Sequence, residues 1–134
     1  MNPAKLREVE QLAAKVGHVF ITTADSKGQP HLAAAGKLAQ TPEKHLMVTE
    51  WFCPQTLNNL QINPRLSVVV WDSNIDAGYQ IIGELEAIKD IGILNGYSHK
   101  SQVTPSVPQV ERQLLLHVDK ILEFKRSPHT DLEE

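Results

Sequence analysis

The first residues of the chain carry apolar side chains at helical spacing. Five of them recur every three or four positions and share one face: Leu6, Val9, Leu12, Ala13 and Val16. Asn2 can cap such a helix, Pro3 suits its first turn and Gly17 can end it. The pattern therefore predicts an amphipathic helix over about 3–16.

Beyond this helix the pattern changes to β-branched and aromatic runs that are separated by turn residues. Six runs are predicted to be strands: 18–24, 29–39, 45–51, 65–72, 78–88 and 112–125. The last run also fits a helix, because its alternation blurs after Val118. A second helix is predicted from Pro54 to just before Pro64. Residues 96–110 are predicted to be a loop, and the tail 126–134 to fray.

Six strands, short turns and two helices predict a mainly β fold. Short turns join the first three strands, which indicates an antiparallel meander. A closed or nearly closed antiparallel barrel would leave no exposed strand edges. With 134 residues, the chain has the length of a single domain, 1–134.

Composition and charge exclude several classes of function. The net charge is −3, and the basic residues form no cluster larger than the pair Lys125 and Arg126, which argues against a nucleic-acid partner. The single cysteine, Cys53, excludes an internal disulfide and a cysteine-based zinc site. The six histidines lack metal-ligand spacing, so no metal is expected. No signal peptide or membrane-spanning run is found, and the expected location is the cytoplasm.

The start of the second helix is the first candidate for chemistry. Cys53 is a poor N-cap, so the backbone N–H groups of Gln55 and Thr56 lack a side-chain partner just upstream. A helix start of this kind can hold a phosphate, with the Thr56 hydroxyl and the Gln55 amide as further donors. The alternative is that water or the Thr56 side chain satisfies these groups.

The residues just before this helix allow two interpretations each. Trp51 and Phe52 can stack a planar ring or pack in a core or a subunit interface. Cys53 can be a reactive thiol at a helix start or a small packing residue. Glu84 and Glu86 on one strand face are explained by solvation. No catalytic acid or base can be named from the sequence.

Three segments resemble a known family. "VFITTADSKGQPHLAA" resembles its first hairpin, "QTLNNLQINPRLSVVV" its Asn-Leu-x-x-Asn-Pro-Arg segment, and "GYQIIGELEAI" its strand with a central glycine. The likeness spans residues from about 5 to 125. It is a resemblance to the pyridoxamine 5′-phosphate oxidase-like, FMN-binding split-barrel family.

This resemblance implies a fold, a cofactor and a set of positions. The implied fold is a six-stranded antiparallel split β-barrel with a few short helices, and the implied assembly is a homodimer with FMN at the subunit interface. The phosphate would lie at the start of the second helix, and the flavin ring along the second strand and the end of the third. The implied cofactor-binding residues are Ala34, Ala35, Gly36, Lys37, Val48, Thr49, Glu50, Trp51, Gln55 and Thr56.

The chain departs from the family at two places. Gln55 stands where the family usually has a cation, and the loss of one charged hydrogen bond weakens binding by roughly ten-fold or more. The tail "FKRSPHTDLEE" lacks the segment with which the true oxidase grips pyridoxal phosphate. The implied function is an FMN-dependent oxidoreductase acting on an unidentified small molecule. The alternatives are a non-catalytic flavin-binding, stress-related or ligand-sensing protein, or the same barrel binding F420 or haem, with His117 or His129 as an axial ligand.

Overall fold

The computed structural model describes residues 3–94 and 109–134, which form one antiparallel sheet of seven strands and two helices. The elements in chain order are α1 (Pro3–Val16), β1 (Val19–Ala24), β2 (Pro30–Ala35), β3 (Lys37–Thr41), β4 (His45–Trp51), α2 (Pro54–Ile62), β5 (Arg65–Asp72), β6 (Ala77–Leu94) and β7 (Gln109–Glu123). Residues 96–108 of the predicted loop lie outside the described residues, and 109–110 begin β7.

Helix α1 buries one face of the predicted amphipathic pattern. Leu6, Val9 and Ala13 are buried against the barrel core. Gly17 ends the helix with a φ of +93°, a left-handed conformation that glycine adopts without strain, and its N–H donates to the carbonyl of Ala13 at 2.8 Å. The helix is therefore fixed by its apolar face and by a glycine at its end.

The sheet closes on itself at a single residue. Its strand order is β2-β1-β5-β6-β7-β4-β3, so β2 and β3 are the two edges, and only Gly36 separates them along the chain. The Gly36 N–H donates to the carbonyl of Glu50, at the end of β4, at 3.1 Å. The two edges of the sheet therefore meet at Gly36, and the curled sheet is a barrel.

The predicted class, a mainly β antiparallel split barrel, is confirmed, but the number of strands differs. The sequence pattern predicts one strand over 29–39. In the structure this run contributes to two strands: β2, which pairs with β1, and β3, which pairs with β4. The chain changes partners without a turn sequence, so the hydrophobic pattern shows no break. This gives seven strands in place of six.

The last two strands form a hairpin that is longer than predicted. Strand β6 continues to Leu94, six residues beyond the predicted end, and β7 begins at Gln109 rather than at 112. The register between them shifts at three places, between Ile82 and Gly83 among others. These shifts interrupt the alternation of apolar and polar residues, which explains why the sequence pattern underestimates the hairpin.

The tail, predicted to fray, folds back on β7. The N–H of Glu134 donates to the carbonyl of Ile121 at 2.9 Å, and the N–H of Glu123 donates to the carbonyl of Leu132 at 2.8 Å. The prediction failed here because backbone pairing to a distant strand leaves no trace in the polar composition of the tail.

In the described part of the chain, neither helix has the length and apolar character needed to cross a bilayer. The longer of the two, α1, has 14 residues, fewer than the roughly 20 that a span requires.

Candidate functional site

Helix α2 begins without a side-chain cap. Cys53, at the N-cap position, is extended, with φ −68° and ψ 113°, and makes no capping hydrogen bond. Pro54 follows at the start of the helix. Thr56, in the first turn, is fully buried, and its hydroxyl has no partner among the described residues. The helix start thus combines backbone donors with a buried hydroxyl that nothing in the described chain satisfies.

A chain of amides connects the exposed Gln55 to the interior. Its Nε2 donates to Oδ1 of Asn59 at 2.9 Å, and Nδ2 of Asn59 donates to Oγ1 of Thr23 at 3.0 Å. Asn59 and Thr23 are both buried. This network fixes the Gln55 side chain in place. Asn59 was not predicted as a site residue, although its position four residues after Gln55 places the two on one helical face.

A small pocket lies beside the start of α2. It has a volume of about 200 Å³ and is lined by Asp25, Gln29, Pro30, His31, Gln55 and Asn59. The Asp25 carboxylate accepts the backbone N–H groups of Lys27 and Gln29, both at 2.8 Å. Among the described residues, no lysine or arginine lines this pocket. An anion held here would therefore depend on neutral donors and on His31.

A larger groove lies between α1 and the junction of β3 with β4. Its volume of about 630 Å³ is within the range of small-molecule sites, roughly 300–1,000 Å³. We call it the α1 groove; its lining includes Glu10, Gln11, Ala13, Ala14, Gly17, Gly36, Lys37, Leu38, Ala39, Thr49 and Glu50. Many of these side chains are small, which leaves room for a flat ligand close to the backbone.

Gly36 and Glu50 meet in the α1 groove. A Cβ at position 36 would collide with the carboxylate oxygen of Glu50 and lie 2.9 Å from the Glu50 Cβ. Glu50 itself has a φ of +61° and occupies the irregular part of β4, where the pairing with β7 shifts between Val48 and Trp51. The bulge turns the Glu50 side chain toward Gly36, and this close approach requires glycine at position 36.

The charges of the α1 groove favour a neutral ligand group. Nζ of Lys37 lies 3.4 Å from Oε2 of Glu50, so the two charges offset each other. Glu10 also lines the groove, and its Oε2 accepts the backbone N–H of Gln40 at 3.1 Å. With two carboxylates against one ammonium among the lining residues, the groove suits an uncharged ring better than a phosphate.

The predicted cofactor-binding residues fall into four groups. Four of them line the α1 groove: Gly36, Lys37, Thr49 and Glu50. Gln55 lines the small pocket. The side chains of Ala35, Val48, Trp51 and Thr56 are buried, and Ala34 is exposed on the outer face of β2. Trp51 is fully buried, as the packing interpretation of its ring expects.

The two histidines considered as axial haem ligands, His117 and His129, lie away from these sites. His117, on β7, has its Nδ1 3.5 Å from Oδ1 of Asp119 and its ring against that of His45. His129 lies in the tail. Neither lines the α1 groove or the small pocket. Across residues 3–94 and 109–134, no three His, Cys, Asp or Glu side chains are placed to hold a metal ion together.

A comparison with protein-family models identifies the chain. The model described as pyridoxamine 5′-phosphate oxidase matches residues 6–122, which is most of the chain. The chain belongs to this family. A comparison of this family member with curated protein sequences gave no significant match.

Solved structures share the fold of this family member at low sequence identity. HupZ from Group A Streptococcus is 19% identical with a TM-score of 0.65, and the match covers 94% of this chain and 97% of that one. A Clostridium acetobutylicum protein related to general stress protein 26 is 15% identical with a TM-score of 0.67, covering 100% and 96%. An FMN-binding protein from Syntrophomonas wolfei is 16% identical with a TM-score of 0.64, covering 92% and 89%.

Proteins with other named activities share this fold. An F420 reductase is 16% identical with a TM-score of 0.56, covering 84% of this chain and 94% of that one. HutZ, a heme storage protein from Vibrio cholerae, is 11% identical with a TM-score of 0.53, covering 86% and 91%. The fold is therefore shared by proteins described as an FMN-binding protein, an F420 reductase and a heme storage protein.

Proposed function

We propose that the protein binds FMN and acts as an FMN-dependent oxidoreductase on a small molecule that remains to be identified. The phosphate would be held at the start of α2, by the backbone N–H groups of Gln55 and Thr56 and by the Thr56 hydroxyl. The flavin ring would lie along the α1 groove. When bound, FMN supplies the electron-transfer chemistry, and the protein supplies position and electrostatics.

The observation that carries this proposal is the unpartnered hydroxyl of Thr56. A buried polar group without a hydrogen bond costs about 1–3 kcal/mol. Here it occurs in the first turn of a helix whose N-cap offers no side-chain acceptor. A phosphate would satisfy the hydroxyl and the backbone donors together and would gain from the positive end of the helix.

The α1 groove supports the proposal for the ring. The small side chains of Ala14 and Ala39 leave room for a flat ligand close to the backbone, and Thr49 offers a hydroxyl in the same groove. The paired charges of Lys37 and Glu50 provide a donor and an acceptor for a neutral ring without adding net charge. Membership of the family and the likeness to an FMN-binding protein from Syntrophomonas wolfei point to the same cofactor.

We also propose that the active form is a homodimer. In the described part of the chain, no lysine or arginine lines the small pocket beside the start of α2, and Lys37 is paired with Glu50. A basic residue from a second copy of the chain would supply the charge that Gln55 lacks. The cofactor would then lie at the subunit interface.

Thr56→Val tests the phosphate site while keeping the shape of the side chain. We expect FMN binding, measured by quenching of flavin fluorescence, to weaken roughly ten- to hundred-fold, since a hydrogen bond to a charged group is worth about 1.5–3 kcal/mol. Thr41→Val is the matched control, because the Thr41 hydroxyl is also buried and unpartnered but lies at the end of β3. Unchanged affinity in Thr56→Val would place the phosphate elsewhere.

The absorption spectrum of the purified protein separates the cofactors. A flavin spectrum supports the proposal, whereas a haem or deazaflavin spectrum would replace FMN by the corresponding cofactor. Reduction of the bound flavin by NADH or NADPH, followed by turnover with an acceptor, is expected of an oxidoreductase. A flavin that is bound but never reduced would instead show a carrier or a sensor.

A further inference from the structure

A second cleft, separate from the α1 groove, lies where the end of α1 meets β1 and the turn after β5. Its volume is about 470 Å³. Its lining residues are Lys15, Val16, His18, Phe20, Trp71, Asp72, Ser73 and Asn74. None of them lines the α1 groove or the small pocket, so the proposed flavin site leaves this cleft unexplained.

Aromatic rings line this cleft on the outer face of the sheet. Phe20 of β1 is paired with Val69 of β5, so Trp71, two residues further along β5, is its diagonal neighbour. Diagonal neighbours in an antiparallel pair are about 7–8 Å apart. The His18 ring packs edge-on against Phe20 with the ring centroids 5.3 Å apart. The rings of His18, Phe20 and Trp71 therefore give this cleft an aromatic wall.

Two carboxylates lie at this cleft or beside it. Asp72 lines the cleft, and only 8% of its surface is exposed. Next to the cleft, the Asp76 carboxylate accepts a hydrogen bond from Nε1 of Trp71 at 3.0 Å. Backbone N–H donation from Arg126, with Trp71 and Ser127 as further donors, holds the pKa of Asp76 well below its usual range, so this carboxylate is charged near neutral pH. The Trp71 indole is therefore hydrogen-bonded to a charged carboxylate, and the next residue in the chain, Asp72, also lines the cleft.

Of the described residues that line this cleft, Lys15 is the one lysine or arginine. Nζ of Lys15 lies 3.3 Å from Oδ2 of Asp72, while its side chain remains 62% exposed. A buried carboxylate needs a compensating charge. The Lys15 ammonium supplies this charge, and its long side chain is largely exposed. An exposed ion pair of this kind is weak, so another cation can replace the ammonium of Lys15.

We propose that this cleft binds an organic cation, a methylated or aromatic ammonium group, which replaces the Lys15 ammonium beside Asp72 and lies against Phe20 and Trp71. Rings of this kind attract cations within about 6 Å of their centroids, and quaternary ammonium groups are the usual ligands of such arrangements. Lys15 then acts as a built-in competitor: its ammonium holds Asp72 when no ligand is present.

Titration with choline chloride tests the proposal on the full chain, with sodium chloride at equal ionic strength as the control. The readout is the indole N–H signal of each tryptophan in an NMR spectrum. We expect a saturable shift for Trp71 and none for Trp51, which is fully buried. A shift that does not saturate, or that sodium chloride reproduces, would overturn the proposal.

Removing the competitor gives the sharpest result. Lys15→Gln is expected to bind choline about two- to five-fold more tightly, because the competing ion pair is lost. Lys27→Gln, which removes the same charge in the turn between β1 and β2, is expected to bind like the unmodified protein. Binding in Lys15→Gln that is equal to or weaker than in the unmodified protein would contradict the role of Lys15.

Two further variants test the groups that hold the cation. Asp72→Asn is expected to weaken choline binding ten-fold or more. Phe20→Leu is expected to weaken it several-fold, and this variant should fold normally because Phe20 is 36% exposed and lies outside the core. If Asp72→Asn does not fold, choline binding by Phe20→Leu and Lys15→Gln still tests the proposal. Unchanged choline affinity in Phe20→Leu counts against the site.

Discussion

Gln55 is the single residue that most affects how strongly this protein would hold a phosphate. It is exposed at the uncapped start of α2, and its amide is tied to Asn59. We expect Gln55→Lys to raise the affinity for FMN roughly ten-fold, since a charged donor replaces a neutral one at the proposed phosphate site. Fluorescence titration with FMN and with riboflavin measures the effect, which should be confined to the phosphorylated flavin.

Gln61→Lys is the control for this prediction. Gln61 is exposed near the other end of α2, so the variant adds the same charge to the same helix away from its first turn. We expect no change in FMN affinity for Gln61→Lys. Equal gains in both variants would indicate a general charge effect and would count against a phosphate at the start of α2.

Sequence reasoning identified single residues well where the relevant chemistry is local. The weak cap at Cys53 follows from neighbouring residues, and the structure shows that Cys53 makes no capping hydrogen bond. Glu10 and Gln11 were missed as lining residues of the α1 groove, because they approach Gly36 only through the tertiary fold. A polar helix face looks the same in a sequence whether it meets solvent or a groove.

At the scale of whole elements, the junction at Gly36 was the least predictable feature. The sequence pattern predicts one strand over 29–39, yet its two halves pair with different partners. Pairing partners are set by the closure of the barrel and not by the local pattern. The boundaries of α1 and α2, by contrast, depend on proline, glycine and apolar spacing, which the sequence displays directly.

The tail is held to the β5–β6 turn by one carboxylate. Asp76 accepts the backbone N–H groups of Arg126 at 2.8 Å and Ser127 at 3.0 Å. We expect Asp76→Asn to loosen this segment, because an amide replaces one of the two acceptor oxygens by a donor. Limited trypsin digestion at neutral pH should then cleave faster after Lys125 and Arg126. Asp90→Asn, which alters an exposed carboxylate on β6, is the control and should not change the rate.

The same contact gives a pH dependence with a definite sign. The pKa of Asp76 is lowered in the folded chain, chiefly by the backbone N–H of Arg126. The stabilisation is therefore fully present above the ordinary aspartate pKa of about 3.9 and is lost as the pH falls through the lower pKa of the folded state. The indole N–H signal of Trp71, which also donates to Asp76, should stay constant from neutral pH to about pH 4. A shift between pH 7 and pH 5 would contradict this assignment.

For the molecule as a whole, the barrel fold was predictable and the assembly is a proposal. Alternating strands and short turns indicate an antiparallel sheet, and the family match over residues 6–122 agrees with that fold. Within residues 3–94 and 109–134 of a single chain, however, no lysine or arginine lines the small pocket beside the proposed phosphate site. The dimer would supply the charge that the proposed function needs. One variant can therefore test the assembly and FMN binding together.

Leu32 is the residue at which we test the dimer. It is 59% exposed on the outer face of β2, where Ala34, a predicted flavin contact, is also exposed. We expect the unmodified protein to have a mass of about 30 kDa in solution, twice the 15.0 kDa of one chain, by light scattering after size-exclusion chromatography. Leu32→Lys should shift this mass toward a monomer and weaken FMN binding in parallel, because a buried, unpaired ammonium is unfavourable at an interface.

Ile75→Lys separates the interface effect from a general loss of apolar surface. Ile75 is also 59% exposed but lies in the turn between β5 and β6. We expect this variant to remain dimeric and to bind FMN normally. A monomeric Leu32→Lys variant that still binds FMN with full affinity would show that one chain holds the cofactor alone. The missing cation would then have to come from within the chain, and Lys37 would be the first residue to examine, since a bound phosphate could draw its ammonium away from Glu50.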